Sequence, residues 1–373
     1  MNYSWILYII IAFLLSMAAT ALTMPLLLRL CKRRGMYDIP DERKLHHSHN
    51  IPRLGGVLFM PAMLAGVAGV LMLIMMFEGW GFMTLNLTTL MVVIGMFMLY
   101  LIGLLDDLFG MPASLKFVIQ LVVSIFLPFC GLYIHNLHGL FGLYEIPSLL
   151  GYSITVFVTL LIVNAVNLID GIDGLASSLS FLAILVFGIL FYFHGMMFYA
   201  LYCMALLGTI FVFFLYNMFG NPAKGTKTFM GDTGSLTLGY ALAFLAVRYI
   251  MTCTPSTPIA MRAMTLLVPF TLVLVPCFDL VRVACMRIKH GKPIFYPDKT
   301  HLHHKCLQAG FTMHQALALI VTLQVFFGMA NWLLIRYVCN ISVVVCFDVC
   351  VFVAFTLWLN YRKSKRTSNS NDL

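Results

Sequence analysis

The chain has 373 residues, of which 61% are hydrophobic and only 10% charged, and its mean hydropathy is +0.96. A soluble domain carries about 25% charged residues, so a water-soluble globular fold is excluded, and no stretch is polar enough to form a separate soluble domain. The net charge of +9 tells less than where the positive residues lie.

A membrane-spanning helix needs about 20 predominantly apolar residues. Windows of that kind fall near residues 5–30, 54–77, 86–105, 115–134, 149–168, 174–193, 197–217, 234–250, 261–285, 314–335 and 338–361. The expected fold is all-α, a polytopic integral membrane protein of about 11 transmembrane helices. Its membrane domain covers 1–361, and 362–373 form a basic, polar tail with the composition of a disordered segment. The first window lacks a basic leader and a small-residue cleavage site, and so reads as a retained helix. The ten cysteines are scattered through apolar segments with no C-x-x-C pair, which suits apolar packing rather than disulfides or metal binding.

Positive residues cluster on alternate connections. Lys32, Arg33, Arg34, Arg43, Lys44 and Arg53 follow the first window, and Lys224 and Lys227 follow the seventh. Arg287, Lys289, Lys292, Lys299 and Lys305 follow the ninth, and Arg362, Lys363, Lys365 and Arg366 close the chain. The opposite connections hold little beyond Arg248, Arg262 and Arg336. By the positive-inside rule, the amino terminus is expected outside and the carboxyl terminus in the cytoplasm.

Six acids sit at the ends of apolar stretches: Asp106, Asp107, Asp170, Asp173, Asp232 and Asp279. A carboxylate at membrane depth costs at least about 2.5–3.5 kcal/mol, so it normally faces water, a cation or a partner. The span order puts every acidic run, and the run His301-Leu302-His303-His304, on the cytoplasmic side. Asp106 and Asp107 project differently if helical, so one can approach a hard cation while the other acts as a base or holds a lysine. Lys116 is a candidate phosphate or carboxylate partner; a solvated helix end is the plainer alternative.

Asn167, Asp170 and Asp173 are spaced by three, which would stack them along one helical face, with Gly171 and Gly174 interrupting. An amide oxygen beside carboxylates suits Mg²⁺; a helix-terminus role is the alternative. Asp232 lies in a glycine-bounded turn, Gly231 to Gly234, before a span. Thr233, Ser235 and their N–H groups could cap that helix and receive phosphate oxygens. Phe229, expected exposed, could stack on a base or pack at the interface. His301, His303 and His304 lack a partner set for zinc. Beside Lys299 and Lys305 they suit donors around a pyrophosphate, or a basic loop held by anionic lipid.

These motifs, with Pro40-Asp41-Glu42-Arg43-Lys44-Leu45-His46 and Pro52-Arg53-Leu54-Gly55-Gly56, resemble the polyprenyl-phosphate N-acetylhexosamine-1-phosphate transferase family over almost the whole chain. The resemblance implies a helical enzyme of the bacterial cytoplasmic membrane, its active site facing the cytoplasm and needing Mg²⁺, for which Mn²⁺ can substitute. It implies a UDP-sugar donor, an undecaprenyl phosphate acceptor and release of UMP. The H-x-H-H form looks like the UDP-GlcNAc branch, which primes O-antigen, enterobacterial common antigen, teichoic acid or capsule.

Carried over by position, it implies Asp232 and Asn167 near the metal and Asp106 or Asp107 at the acceptor phosphate. Asp170 and Lys116 would support catalysis, and Asp173, Phe229 and Asn164 would lie toward the donor. The histidines would hold pyrophosphate. The bilayer is the expected partner, nucleic acid is not, and a homodimer is compatible with the pattern. The alternatives are the same reaction with UDP-GalNAc or UDP-MurNAc-pentapeptide, an ion-coupled transporter using the acids as a cation relay, or a membrane scaffold without chemistry. One-sided placement of the clusters argues against a transporter, whose site usually lies near the bilayer midplane.

Overall fold

The computed structural model describes residues 3–37, 51–79, 87–253, 259–293, 300–338 and 340–371. The expected motif at 40–46 and Lys299 lie outside them. Thirteen helices carry the described chain. They are α1 Tyr3–Arg34, α2 Phe59–Glu78, α3 Leu87–Phe109, α4 Ala113–Phe129, α5 Ser148–Ile169, α6 Leu175–Phe193, α7 Met197–Phe219 and α8 Gly231–Ile250. The series continues with α9 Ile259–Leu272, α10 Leu274–Lys289, α11 Leu302–Gln308, α12 Met313–Val338 and α13 Ile341–Asn371. A 3-10 turn, Gly55–Leu58, leads into α2.

Helices dominate because apolar solvent cannot satisfy backbone N–H and C=O groups, so each spanning segment must bond its own. Among the described residues nine helices are long and apolar enough to cross a membrane. The other two expected spans differ. One is α4, whose 17 residues reach only about 26 Å at 1.5 Å per residue, near the lower limit for a crossing. The other is a pair, α9 and α10, bent by 66°.

Pro276 explains that break. Its ring clashes with the carbonyl four residues back, Leu272, and it offers no N–H to continue the ladder; α9 ends at Leu272 accordingly. Gln324 from α12 fills the break, its Nε2 donating to Thr271 O at 2.6 Å while its Oε1 accepts from Val275 N at 3.3 Å. A hydropathy window cannot register this, because the segment stays apolar throughout.

One connection folds, and one further expectation changes. The connection over Asn136–Pro147 is a β-hairpin, β1 Asn136–Leu140 and β2 Leu143–Glu145, antiparallel with an irregular register. Its two-residue loop, Phe141 and Gly142, has φ of 51° and 79°, the left-handed pair a tight hairpin requires. The tail expected to be disordered continues α13 as far as Asn371. The nine described cysteines are free thiols.

The chain divides into two compact units, the cut falling within α6 and α8. Unit 1 comprises Met1–Gly131 and Ser180–Leu245, and unit 2 Leu132–Leu179 and Ala246–Leu373. In unit 1, α1 packs along α7 and α2, and α3 along α4. In unit 2, α5 packs on α10, α9 on α12, and the hairpin on α9 and α13.

Candidate active site

In unit 1, two distant turns are tied together by backbone pairing. Phe229 N donates to Pro52 O at 2.8 Å, and Gly55 N and Gly56 N donate to Phe229 O and Met230 O, both at 3.0 Å. This ladder fixes the chain entering α8. Phe229 is consequently half-buried rather than exposed, which favours packing over open stacking. Gly231 has φ of +72°, and a Cβ there would sit 2.5 Å from Asp107 Oδ2. The residue must therefore be glycine for conformation and for space.

The close approach lets Asp107, at the end of α3, cap α8. Its Oδ1 accepts from Asp232 N at 2.8 Å, and its Oδ2 accepts from Thr233 N at 2.9 Å and Thr233 Oγ1 at 2.6 Å. A carboxylate at a helix N-terminus satisfies orphan donors and meets the positive end of the dipole. Asp107 thereby takes up the Thr233 N–H and hydroxyl that were expected to receive phosphate oxygens. Ser235 Oγ is likewise engaged with Gly231 O at 3.0 Å. Asp232 lies in the first turn of α8 and not in a turn before it.

Asp106 is oriented differently. Its Oδ1 accepts from Met111 N at 2.6 Å. Its Oδ2 lies 3.0 Å from Lys116 Nζ, which also sits 2.7 Å from Asp232 Oδ2. Lys116, in the first turn of α4, thus joins two carboxylates that the chain separates by 126 positions. All three side chains keep partial exposure, 22% for Lys116, 15% for Asp106 and 26% for Asp232, so the cluster is open to a ligand.

In unit 2 the acids of the second motif do not continue along a helix. α5 ends at Ile169, Asp170 is its C-cap with ψ of 50°, and Asp173 lies in the following turn. The three-residue spacing therefore fails to stack Asn167, Asp170 and Asp173 on one face. Asn164 Nδ2 bonds back to Leu160 O at 2.8 Å. Gly171 faces the His303 ring so closely that a Cβ would overlap Nε2 and Cε1. The histidine run and the Asp170–Asp173 turn are thus brought together.

The histidines are organised by Asp279 of α10. Leu302 N, at the start of α11, donates to both Asp279 oxygens at 3.1 and 3.0 Å, and His301 Nδ1 lies 3.0 Å from Oδ2. Arg282 Nη2 donates to Asp279 Oδ1 at 2.6 Å and to Thr300 O at 2.5 Å. The rings of His301 and His303 are parallel at 6.0 Å, and His304 follows at 4.2 Å.

His303 is only 2% exposed. Burial, then repulsion from His304, pushes its pKa down to about 3. It is therefore held neutral, with a single ring N–H to donate, and it packs against the Gly171 turn. Positive charge comes instead from Arg282 and Lys305. Lys305 is held below the usual lysine range, first by burial and then by the nearby Arg282, as expected where cations crowd together. Such a field favours an anionic ligand.

Sequence reasoning missed Arg282, and it named Thr233 without its partner Asp107. Asp279 and Arg282 are i and i+3 on one helix, which was a readable signal; the reach of Thr233 to Asp107 left none.

Asp232 and Asn167, the expected metal donors, lie in different units, so neither unit alone tests the pair. Among the described residues no three His, Cys, Asp or Glu side chains converge as a metal cage. The donors of unit 1 are hard carboxylate oxygens with a cation, the Lys116 ammonium, already between them. That set fits Mg²⁺, which takes one or two carboxylates and completes its shell with water and substrate phosphate.

The sequence model of glycosyl transferase family 4 matches residues 89–250. An undecaprenyl-phosphate alpha-N-acetylglucosaminyl 1-phosphate transferase of Yersinia pestis is 31% identical over 296 residues, 77% of this chain and 73% of the relative. A probable undecaprenyl-phosphate N-acetylglucosaminyl 1-phosphate transferase of Bacillus subtilis is 28% identical over 353 residues, 92% and 90% of the two chains. A Salmonella typhi relative named like the first is 28% identical over 288 residues, 77% and 73%.

Proposed function

Since the chain belongs to glycosyl transferase family 4, as a multi-pass polyprenyl-phosphate sugar-phosphate transferase, we propose that it moves N-acetylglucosamine-1-phosphate from UDP-GlcNAc to undecaprenyl phosphate. The observation that carries the reading is the Asp106–Lys116–Asp232 cluster, which supports chemistry on a phosphate at a membrane face. An oxygen of the acceptor phosphate attacks the sugar-bearing phosphorus of the donor. The bond from that phosphorus to the bridging oxygen breaks, and UMP leaves carrying the bridging oxygen. The product is a lipid-linked sugar pyrophosphate suited to priming a surface polysaccharide. No covalent enzyme intermediate is needed, because the acceptor is already an anionic nucleophile.

Lys116 neutralises the acceptor phosphate, and Asp106 holds Lys116 in place. Asp107 fixes the first turn of α8 and with it Asp232. Arg282 and Lys305 attract the donor pyrophosphate, while Asp170, Asp173 and Asn164 contact the rest of the donor. Mg²⁺, which the Asp232 carboxylate would help to hold, would supply charge neutralisation for the phosphoryl groups. The bias of positive residues supports a cytoplasmic face for this chemistry, in a bacterial inner membrane.

The test is purified protein in detergent with undecaprenyl phosphate and UDP-GlcNAc, UDP-GalNAc and UDP-MurNAc-pentapeptide, with UMP release as readout. Release with UDP-GlcNAc alone, abolished by excess EDTA, is expected. Preference for another sugar would reassign the donor, and full turnover in EDTA would remove the metal.

A further inference from the structure

One acid takes no part in this chemistry. Asp348 lies within α13, fully buried at 0% exposure, and Asn331 of α12 is buried at 1%. The two helices join through a short connection, and each residue sits seven positions from the helix end facing it, about 10 Å along the axis. Asn331 Nδ2 donates to Asp348 Oδ2 at 2.9 Å and to Thr271 Oγ1 at 2.8 Å. Both amide hydrogens are then used. Two oxygens, Asp348 Oδ1 and Asn331 Oδ1, remain buried without a partner. Among the described residues no Lys, Arg or His pairs with Asp348.

An ionised carboxylate here would be an uncompensated charge inside apolar protein, which burial strongly disfavours. Two unpartnered acceptors on one bonded pair also present a simple deficit of one hydrogen. A single proton on Asp348 Oδ1, donated to Asn331 Oδ1, removes the charge and satisfies both oxygens. The acid and the amide then form a ring with two parallel hydrogen bonds.

We propose that Asp348 binds a proton and that the neutral acid–amide pair clamps α13 to α12 beside the α9–α10 break. The clamp reaches the break through Thr271. The second hydrogen of Asn331 goes to Thr271 Oγ1, and the backbone oxygen of Thr271 accepts from Gln324. The proton therefore completes a polar chain that supports the point where α10 leaves α9 toward Asp279. The proposal does not depend on the substrate reading.

The test uses the full-length protein in lipid, with infrared spectra of wild type minus Asp348→Asn at pH 8 in H₂O and D₂O. A protonated carboxyl carbonyl band, sensitive to deuterium and absent from the variant, is the expected result. Thermal unfolding supplies a second readout. Asp348→Asn offers an amide with the same donor and acceptor places, so its unfolding temperature stays close to wild type, whereas Asp348→Ala lowers it. A carboxylate band in place of the acid band overturns the proposal. So does an Asp348→Asn loss as large as that of Asp348→Ala together with wild-type stability that depends on Na⁺, which would make the pair a metal-cation site.

Discussion

Replacing Lys116 by Met removes the ammonium that bridges Asp106 and Asp232 while nearly keeping side-chain volume. Asp106 Oδ2 and Asp232 Oδ2 lie no more than 5.7 Å apart, the sum of their 3.0 and 2.7 Å arms to Lys116 Nζ. At that separation two unit charges repel by about 3 kcal/mol at an effective dielectric of about 20, and by about 0.7 kcal/mol in bulk water. The partial exposure of the three side chains argues for the middle of that range, so Lys116→Met should cost on the order of 1–2 kcal/mol of stability. Asp106→Asn keeps the Oδ1 that accepts from Met111 N and removes the repulsion, so the double variant should be more stable than Lys116→Met alone. Thermal unfolding of the purified protein at low and high salt measures this, and raised salt should narrow the gap. Mg²⁺ should stabilise Lys116→Met more than wild type, because it takes the place left by the ammonium. Losses that merely add across the double-mutant cycle, with no response to salt or Mg²⁺, would refute the shared-cation reasoning.

Asp232→Asn should abolish UMP release with the unfolding temperature little changed, since volume is kept; near-wild-type turnover would remove Asp232 from the chemistry. Gly171→Ala places a methyl on the His303 ring and should destabilise by about 1–3 kcal/mol, as overpacking does; an unaltered unfolding temperature would deny the contact. His303 is held neutral down to about pH 3, whereas the unfolded side chain takes a proton near pH 6.5. The unfolded state therefore binds more protons in that window, and stability falls as pH drops from about 6.5 toward 3, by at most about 1.4 kcal/mol per pH unit. His303→Gln should flatten that acid limb, and an unchanged profile would contradict the buried neutral ring. For sidedness, a cysteine at Thr226 should react with an impermeant thiol reagent only after the membrane is opened, and one at Asn136 should react in spheroplasts. The reverse pattern would invert the topology.

The count of apolar segments was legible because a spanning helix is specified by composition over some 20 residues, and all eleven windows coincide with helices or a helix pair. The geometry of two of them was not legible. Hydropathy averages across Pro276, so α9 and α10 read as one span, although a single ring is enough to end the ladder at Leu272. Periodicity likewise overreached at Asp170, because spacing by three constrains a face only while the helix lasts, and α5 stops one residue earlier. Asp348 escaped notice for the opposite reason: one carboxylate in a long apolar window hardly changes its average.

The site shows a sharper limit. Asp106 and Asp107 are chemically identical neighbours, and sequence can say only that they point in different directions. What separates their roles is Thr233, 126 positions from Asp107, and Lys116, 116 positions from Asp232. Neither separation carries a local pattern, since both contacts depend on α8 entering beside the ends of α3 and α4. That entry depends in turn on the ladder between residues 52–56 and 229–230 and on a left-handed glycine at 231. The carboxylate nearest the helix N-terminus is taken by backbone donors, and its neighbour is left facing the ammonium. Identity of the two acids in sequence thus gives way to a division between anchoring and charge pairing, decided by which of them α8 reaches first.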